Sequence, residues 1–270
     1  MRYVTVASGD EKMAAVFNSG KDSHGAIAKD IFELKCDANE VRDLFKMERQ
    51  CAKACQFLSI YGGQASALAA TAGISEQRAQ EILDEYFEKY IGIKAYLQAT
   101  REFIEAKGYS QSLLGRRNRH LMVPALAAKE TRDQDEQMAM EKEIRVAINA
   151  TIQSASSDGM LLSMCNLQDE IEERGLQDRI QVINIIHDAG YCLVRADCLQ
   201  EMHDLILKHL TRFPSPLVSA FTGEVITPAI PMVADAEWGY TWDNFREDFG
   251  VSLGETEEEE EEEEEMEDAA

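Results

Sequence analysis

The sequence predicts an α+β protein in which a long helical region comes first and a shorter region of mixed strands and helices follows. Two observations lead to this prediction. The five prolines are confined to Pro124 and to residues 214–231, which leaves long stretches free to form helices. Two short runs of β-branched and apolar residues lie between residues 180 and 194 and are typical of strands. Helices followed by strands favour α+β over alternating strand–helix units.

Three long helices are predicted in the first region. The first covers residues 37–61, because Gly62-Gly63 follows it and glycine commonly stands where a helix stops. The second starts after Ser75, a good N-cap residue, and its apolar residues recur at helical spacing as far as residue 107. The third runs from about residue 131 to residue 174 and ends at Gly175.

Shorter elements surround these helices. Residues 108–119 are basic and predict a loop or a short hairpin. Residues 180–186 and 191–194 predict a β-hairpin, with His187-Asp188-Ala189-Gly190 between them. A helix over about 197–210 and proline-spaced strands complete the predicted order.

The charge of the chain is concentrated at its C-terminus. The net charge is −23, and twelve of the acidic residues lie between Glu255 and Asp268. Without them, 38 acidic residues face 27 basic ones, which gives −11. Contacts with nucleic acid are therefore expected to depend on a few placed cations rather than on a broad basic surface. Residues 251–270 are predicted to be disordered, because the acidic run repels itself and has little apolar surface to bury.

Composition argues against several classes of protein. No run of about 18 apolar residues is present, so no membrane span is expected. The N-terminus lacks the apolar stretch of a secretory signal. The six cysteines form no CxxC pair and have no histidine at zinc-ligand spacing. They are interpreted as reduced, buried thiols of a cytosolic protein, with Cys51 and Cys55 adjacent on one helix.

One helical segment combines cations with aromatic rings. Arg49, Lys53, Phe57 and Tyr61 are each four residues apart and form a stripe about 18 Å long. Arginine and lysine suit phosphate groups, so the stripe has the length and chemistry to hold a nucleoside triphosphate. Taken alone, the same pattern fits an amphipathic helix with solvated cations. A second, apolar stripe is predicted to pack on the core: Met47, Cys51, Ala54 and Leu58.

The pattern R-x3-K-x3-F-x3-Y-G resembles motif B, in the fingers of the DNA polymerase I-like family A polymerases. Further segments resemble the same family in the same order and cover nearly all of residues 1–245. They are S-G-D-x-x-M at 8–13, G-x-D-x-H at 20–24, the glycine–tyrosine to Gly-Arg-Arg stretch at 108–117, R-x3-N-x3-Q-x4-D at 145–158, motif C at 186–188 and a final strand at 231–242.

The resemblance implies the domains of a polymerase right hand. Residues 1–11 would be a palm remnant that follows motif A, and residues 12–122 the helical fingers. Residues 123–250 would form the C-terminal part of an antiparallel-sheet palm. The acidic tail, 251–270, would be either a solvated end or a segment that docks on a basic partner.

The resemblance also implies a role for each site residue. His24, Arg49 and Lys53 would contact the triphosphate of an incoming dNTP, with Lys53 counted among the catalytic residues. Phe57 would stack near the sugar and base, and Tyr61 would pack at the templating position. Four residues would face the DNA primer–template: Arg145, Asn149, Gln153 and His187. Three arginines would either contact the nucleic-acid backbone or lie in a solvated loop: Arg116, Arg117 and Arg119.

Asp188 is the candidate catalytic metal ligand. Phosphoryl transfer with two Mg²⁺ ions requires carboxylates that hold both ions. By itself, an aspartate at a hairpin tip is usually a turn former. The chain departs from the family pattern in two ways. Ala189 stands where the family has glutamate, and Met1-Arg2 aligns with the last two residues of motif A, D-x-S-x-x-E-L-R, so the motif A aspartate has no counterpart.

These features predict a DNA-directed DNA polymerase that is inactive alone. An N-terminal polypeptide carrying motif A and the thumb would supply the second metal carboxylate, as in polymerases split between two genes in some phages. A truncated piece of a longer polymerase would fit the same pattern. The location would then be cytoplasmic, in the host if the gene is a phage's. Two alternatives remain open at this point. One is a non-catalytic polymerase relic that binds DNA or protein, and the other is a helical interaction protein with a disordered tail.

Overall fold

A computed structural model describes residues 1–60, 62–242 and 244–246, which fold as an α+β protein. Helices dominate, and the strands of the described residues form three antiparallel sheets of two strands each. The predicted fold class is therefore confirmed. Tyr61 and the acidic tail at 251–270 lie outside the described residues. None of the described helices is both long and apolar enough to cross a membrane.

The elements follow one another in the predicted order of helices first and strands later. The helices of the described residues are α1 (Arg2–Ser8), α2 (Glu11–Asn18), α3 (Ser23–Phe32), α4 (Val41–Leu44), α5 (Lys46–Ile60), α6 (Ala65–Ala72), α7 (Glu76–Lys89), α8 (Ile91–Lys107), α9 (Met122–Ala127), α10 (Gln134–Glu173) and α11 (Leu199–Leu210). The strands are β1 (Tyr109–Gln111), β2 (Arg117–Arg119), β3 (Ile180–Ile186), β4 (Ala189–Val194), β5 (Leu217–Val218) and β6 (Val225–Ile226).

The chain divides into two compact units. The first comprises the described residues of Met1–Asp158 and Ser215–Pro231, and the second comprises Gly159–Pro214 and the described residues between 232 and 246. The division falls inside α10.

Two of the three predicted long helices are interrupted. Phe45, with φ −135°, separates α4 from α5, and Tyr90, with φ −113°, separates α7 from α8. Tyr90 is fully buried, and its hydroxyl contacts Asp30 Oδ2 at 3.1 Å. The predicted N-cap is confirmed, because the Ser75 hydroxyl accepts a hydrogen bond from the backbone N–H of Arg78. Helix α10 is one continuous element close to its predicted bounds.

Asp10, in the S-G-D segment, connects two helices of the first unit. It is 3% exposed and caps α2 by accepting a hydrogen bond from the Met13 N–H at 2.8 Å. Its other oxygen accepts hydrogen bonds from the N–H groups of Gly92 and Ile93, in the first turn of α8. A side chain on Gly92 would clash, since its Cβ would lie 2.8 Å from Asp10 Cα. This aspartate therefore satisfies backbone donors at the start of both helices.

The second unit has its own core between α10, the β3–β4 hairpin and α11. Strands β3 and β4 pair in antiparallel register from Ile180↔Val194 to Ile186↔Ala189, with an irregularity between Val182 and Asn184. The sequence predicts this hairpin, but Ala189 and Gly190, which were expected in its tip, are the first residues of β4. Its core consists of Met164, Leu167, Ile171, Leu176, Ile180, Cys198, Met202 and Leu205.

Two predictions about this part of the chain are wrong. Residues 231–242 were expected to form a final strand, but the described residues there make only an isolated bridge between Trp238 and Arg246. Their aromatic side chains contact other rings, such as Tyr191 with Trp242 at 5.0 Å between centroids. The cysteines are unpaired, but Cys165 is exposed, so not all of them are buried thiols.

Glu170 on α10 accepts hydrogen bonds from Lys208 Nζ and His209 Nε2 on α11, each at 2.5 Å. It also pairs with Arg174. The Lys208 hydrogen bond, with those of His209 and Arg174, outweighs burial and lowers the pKa of Glu170 from 4.5 to about 2. Because the folded-state pKa is depressed, this carboxylate stabilises the unit above about pH 4.5, and the stabilisation is lost as the pH falls toward 2.

We therefore expect Glu170→Gln to lower the urea midpoint of the second unit at pH 7, and to lower it less at each step toward pH 2. Urea unfolding followed by circular dichroism between pH 7 and pH 2.5 measures this. Glu173→Gln is a suitable control, because Glu173 is an exposed acid of the same helix. A midpoint difference that stays constant over this pH range would contradict the assigned role of Glu170.

Candidate functional site

Helix α5 exposes the predicted cation–aromatic stripe. Arg49 is half-buried, Lys53 is exposed, and Phe57 is 37% exposed. The predicted apolar stripe is only partly correct, because Met47 is 71% exposed. The helix instead buries pairs of adjacent residues that recur every four positions. These are Cys51, Ala52, Cys55, Gln56, Ser59 and Ile60.

Arg49 is held by an acidic residue from another helix. Its Nε donates to Asp22 Oδ2 at 2.5 Å, and its Nη2 donates to Asp22 Oδ1 at 3.0 Å. Asp22 is the N-cap of α3 and accepts a hydrogen bond from the backbone N–H of His24. Burial raises the pKa of Asp22, but the hydrogen bonds and charge of Arg49 and two backbone N–H groups outweigh it and hold that pKa below its usual value. The pair is therefore ionised at neutral pH.

His24 lies beside the aromatic end of the stripe. The centroids of the His24 and Phe57 rings are 6.1 Å apart. The buried Nδ1 of His24 has no hydrogen-bond partner among the described residues. Burial, reinforced by the charges of Arg49 and Lys53, lowers the pKa of this imidazole, so it is neutral at pH 7.

Lys53 is the cation of this group that remains unpaired. Within the described part of the chain, its ammonium makes no hydrogen bond or ion pair, whereas Arg49 is neutralised by Asp22. The structure thus brings together four of the predicted nucleotide-binding residues: His24, Arg49, Lys53 and Phe57. Tyr61, the fifth, falls outside the described residues.

The C-terminal end of α5 meets helix α10. Gly62 has φ +63°, and a Cβ at this position would lie 2.9 Å from Arg145 Cγ. The side chain of Arg145 therefore lies against the residue that follows Tyr61. Asn149, one turn farther along α10, has a buried Oδ1 without a partner among the described residues, and Gln153 is exposed. These three predicted DNA-facing residues follow one another at four-residue spacing on α10.

The basic segment at 108–119 is the β1–β2 hairpin, and contacts within the protein engage two of its arginines. Arg116 forms a bidentate pair with Asp158 on α10, at 2.8 Å for Nε–Oδ2 and 2.5 Å for Nη2–Oδ1. The Arg117 guanidinium lies 4.9 Å from the centroid of the Tyr109 ring. All three arginines are nevertheless exposed, so both the backbone-contact and the solvated interpretation of Arg116, Arg117 and Arg119 stay predictions.

His187 and Asp188 form the two-residue turn of the β3–β4 hairpin in the second unit. Both are exposed, and His187 has φ 57°, in the left-handed region. Within the described residues, the Asp188 carboxylate makes no hydrogen bond or ion pair. It is therefore accessible to an external ligand, and the role of Asp188 as a metal ligand stays a prediction.

Sequence reasoning did not single out Asp22, although the G-x-D-x-H segment contains it. The available signal was an acidic residue two positions before the predicted site residue His24, opposite in charge to Arg49. Asp158 was noted only as the end of the R-x3-N-x3-Q-x4-D pattern, and its partner Arg116 lies 42 residues away.

The sequence model for DNA polymerase family A matches residues 1–244. The chain belongs to this family. One similar protein is the DNA polymerase of Escherichia phage T5, which is 28% identical over 78% of this chain and 26% of that polymerase. DNA polymerase I of Chloroflexus aurantiacus is 30% identical over 90% of this chain and 23% of that polymerase. DNA polymerase I of Pseudomonas aeruginosa is 30% identical over 90% of this chain and 24% of that polymerase. The chain thus spans about a quarter of the length of these family A relatives.

A solved structure supports the same fold for the family A segment. The POL domain of Pol1 from M. smegmatis, in complex with DNA primer-template and dNTP, superposes with a TM-score of 0.69 and 24% sequence identity. The match covers 86% of this chain and 36% of that domain.

Proposed function

We propose that this chain is the nucleotide-binding and C-terminal part of a DNA-directed DNA polymerase. The observation that carries the proposal is the α5 site, where His24, Arg49, Lys53 and Phe57 lie together in a chain that belongs to family A. In this proposal, residues 1–11 are a palm remnant, residues 12–122 are the fingers and residues 123–250 are the C-terminal part of the palm.

The α5 site has the charges and the side-chain types to bind a dNTP. Lys53 offers a mobile point charge, and Arg49 offers the planar donors that match phosphate oxygens. The neutral His24 adds an imidazole ring beside Phe57, with 6.1 Å between the two ring centroids. The partly exposed ring of Phe57 provides an apolar surface for the sugar and base. Since the body of the chain is acidic, these few cations make the site locally attractive for a triphosphate.

Helix α10 is the proposed DNA-facing element. Arg145, Asn149 and Gln153 lie along it, and Arg145 contacts Gly62 at the end of α5. The solved neighbour from M. smegmatis contains primer-template and dNTP, which supports these two ligands as the partners proposed for this chain. His187, next to Asp188 in the hairpin turn, is the remaining proposed DNA contact.

Asp188 fits the role of one ligand for catalytic magnesium. Magnesium prefers oxygen ligands and is commonly bound by one or two carboxylates together with substrate phosphates. The exposed, unpaired carboxylate of Asp188 meets this requirement, and no group of three or more potential metal ligands gathers in the described residues. The second carboxylate is therefore assigned to a partner. Bound Mg²⁺ would neutralise charge on the phosphates and activate the primer hydroxyl.

The proposed partner is an N-terminal polymerase polypeptide that carries motif A and the thumb. The chain spans about a quarter of its relatives, so most of a whole polymerase has no counterpart in it. A non-catalytic relic is the second candidate, because Ala189 stands where family A carries glutamate after His-Asp.

A primer-extension assay tests the proposal. The chain, free of host polymerase, is expected to extend no primer by itself. It should support Mg²⁺-dependent extension once the motif A polypeptide is added. Extension by the chain alone would contradict the two-chain arrangement. If a folded partner binds the chain and no extension follows, the relic is the better description.

A further inference from the structure

We propose that Asp22 is a positioning residue that aims the guanidinium of Arg49 at the triphosphate. The inference rests on the proposed function, because Arg49 has this role only if α5 binds a nucleotide. No other described carboxylate forms an ion pair with a cation of the α5 stripe.

The geometry of the pair leaves the phosphate-binding edge of Arg49 open. Asp22 occupies one side of the guanidinium, through Nε at 2.5 Å and Nη2 at 3.0 Å. A guanidinium has five N–H donors in a fixed plane. The two donors on Nη1 and the second donor on Nη2 therefore remain. Together they form a second fork, of the kind that binds phosphate oxygens in pairs.

Asp22 is itself fixed in place, so it can hold the guanidinium of Arg49 in one orientation. Its backbone N–H donates to Asn39 Oδ1 at 2.9 Å, and its Oδ1 accepts from the His24 N–H at 3.2 Å. Gly25 closes the other side, since a Cβ there would lie 3.0 Å from Asp22 Oδ2 and would collide with the Ala38 carbonyl oxygen. One carboxylate thus holds Arg49 and caps the helix that carries His24.

The surroundings distinguish this pair from an ordinary surface ion pair. The side chains of Arg49 and Asp22 are 25% and 20% exposed, respectively. Exposed single pairs contribute little, partly because two long side chains must be ordered. Here the acid is short and already fixed by backbone contacts, so the pair orders mainly Arg49. Lys53, which has no such partner among the described residues, keeps its mobility and its net charge.

Asp22→Asn tests the inference, because asparagine caps helices as well as aspartate does but lacks the charge that fixes Arg49. The assay is equilibrium binding of Mg·dATP and, separately, of tripolyphosphate to the purified chain. We expect Asp22→Asn to weaken both affinities about tenfold. In an Arg49→Lys background the same change should alter affinity little further, because a lysine lacks the planar pair of N–H donors that Asp22 orients in arginine.

Asp197→Asn is the matched control. Asp197 is an exposed acid of the second unit that pairs with Arg195, so its replacement also removes a paired charge but leaves the contacts of Asp22 and Asn39 intact. Its affinities should equal those of the unchanged chain. The urea midpoint of Asp22→Asn reports any general loss of structure. Such a loss would weaken binding equally with Arg49 intact and in the Arg49→Lys background.

The outcomes separate the inference from the proposed function. If the folded chain binds neither probe, or if Lys53→Ala leaves binding unchanged, the proposed nucleotide site is wrong. If Lys53→Ala weakens binding while Asp22→Asn binds as well as or better than the unchanged chain, only the positioning role is overturned. Equal losses from Asp22→Asn with Arg49 intact and in the Arg49→Lys background would also overturn it.

Discussion

Asp188→Ala should abolish primer extension by the assembled polymerase while the chain remains folded. Asp188 is exposed in a two-residue turn and makes no hydrogen bond or ion pair within the described residues, so its removal costs the fold little. Loss of a carboxylate that holds a catalytic ion removes several kcal/mol of transition-state stabilisation. We expect turnover to fall on the order of a thousandfold or more.

Single-turnover extension with the motif A polypeptide in excess measures this effect. Circular dichroism and primer-template affinity, measured in parallel, should be close to those of the unchanged chain. Asp178→Ala is the control, since Asp178 is an exposed aspartate of the same unit, in the turn before β3. Unchanged turnover in Asp188→Ala would show that the hairpin aspartate is only a turn former.

Lys53→Ala should impair nucleotide use about ten- to a hundredfold, seen as a lower kcat/KM for the incoming dNTP. This range corresponds to the loss of one charge-assisted hydrogen bond to a phosphate. The effect should fall on function rather than on stability, because Lys53 is exposed and unpaired within the described part of the chain. Its charge also contributes to the lowered pKa of His24, so the substitution should let that pKa rise.

Steady-state kinetics over a range of dNTP concentrations measures the change. Lys94→Ala provides the comparison, because Lys94 is an exposed lysine on α8 and lies outside the α5 stripe. If the kinetics of Lys53→Ala match those of Lys94→Ala, Lys53 does not bind the triphosphate.

Features that depend on residues close together along the chain could be predicted from the sequence alone. The four-residue spacing of Arg49, Lys53 and Phe57 is enough to place them on one helical face, because an α-helix turns once in 3.6 residues. Ser75 marked a helix start and Gly175 a helix end by local capping preferences. The hairpin around His187-Asp188 followed from two apolar runs on either side of a short turn.

Which face of each helix is buried, and which charges are paired, depends on tertiary packing and could be seen only in the folded structure. Met47 fits an apolar stripe by spacing, yet it is 71% exposed, because burial depends on where the neighbouring helices lie. Tyr90 continues a helical pattern, but its burial against α3 accompanies a break in the helix. Asp22 and Arg49 are 27 residues apart in sequence. Pairing at that separation depends on how α3 packs on α5, and local propensity carries no information about such packing.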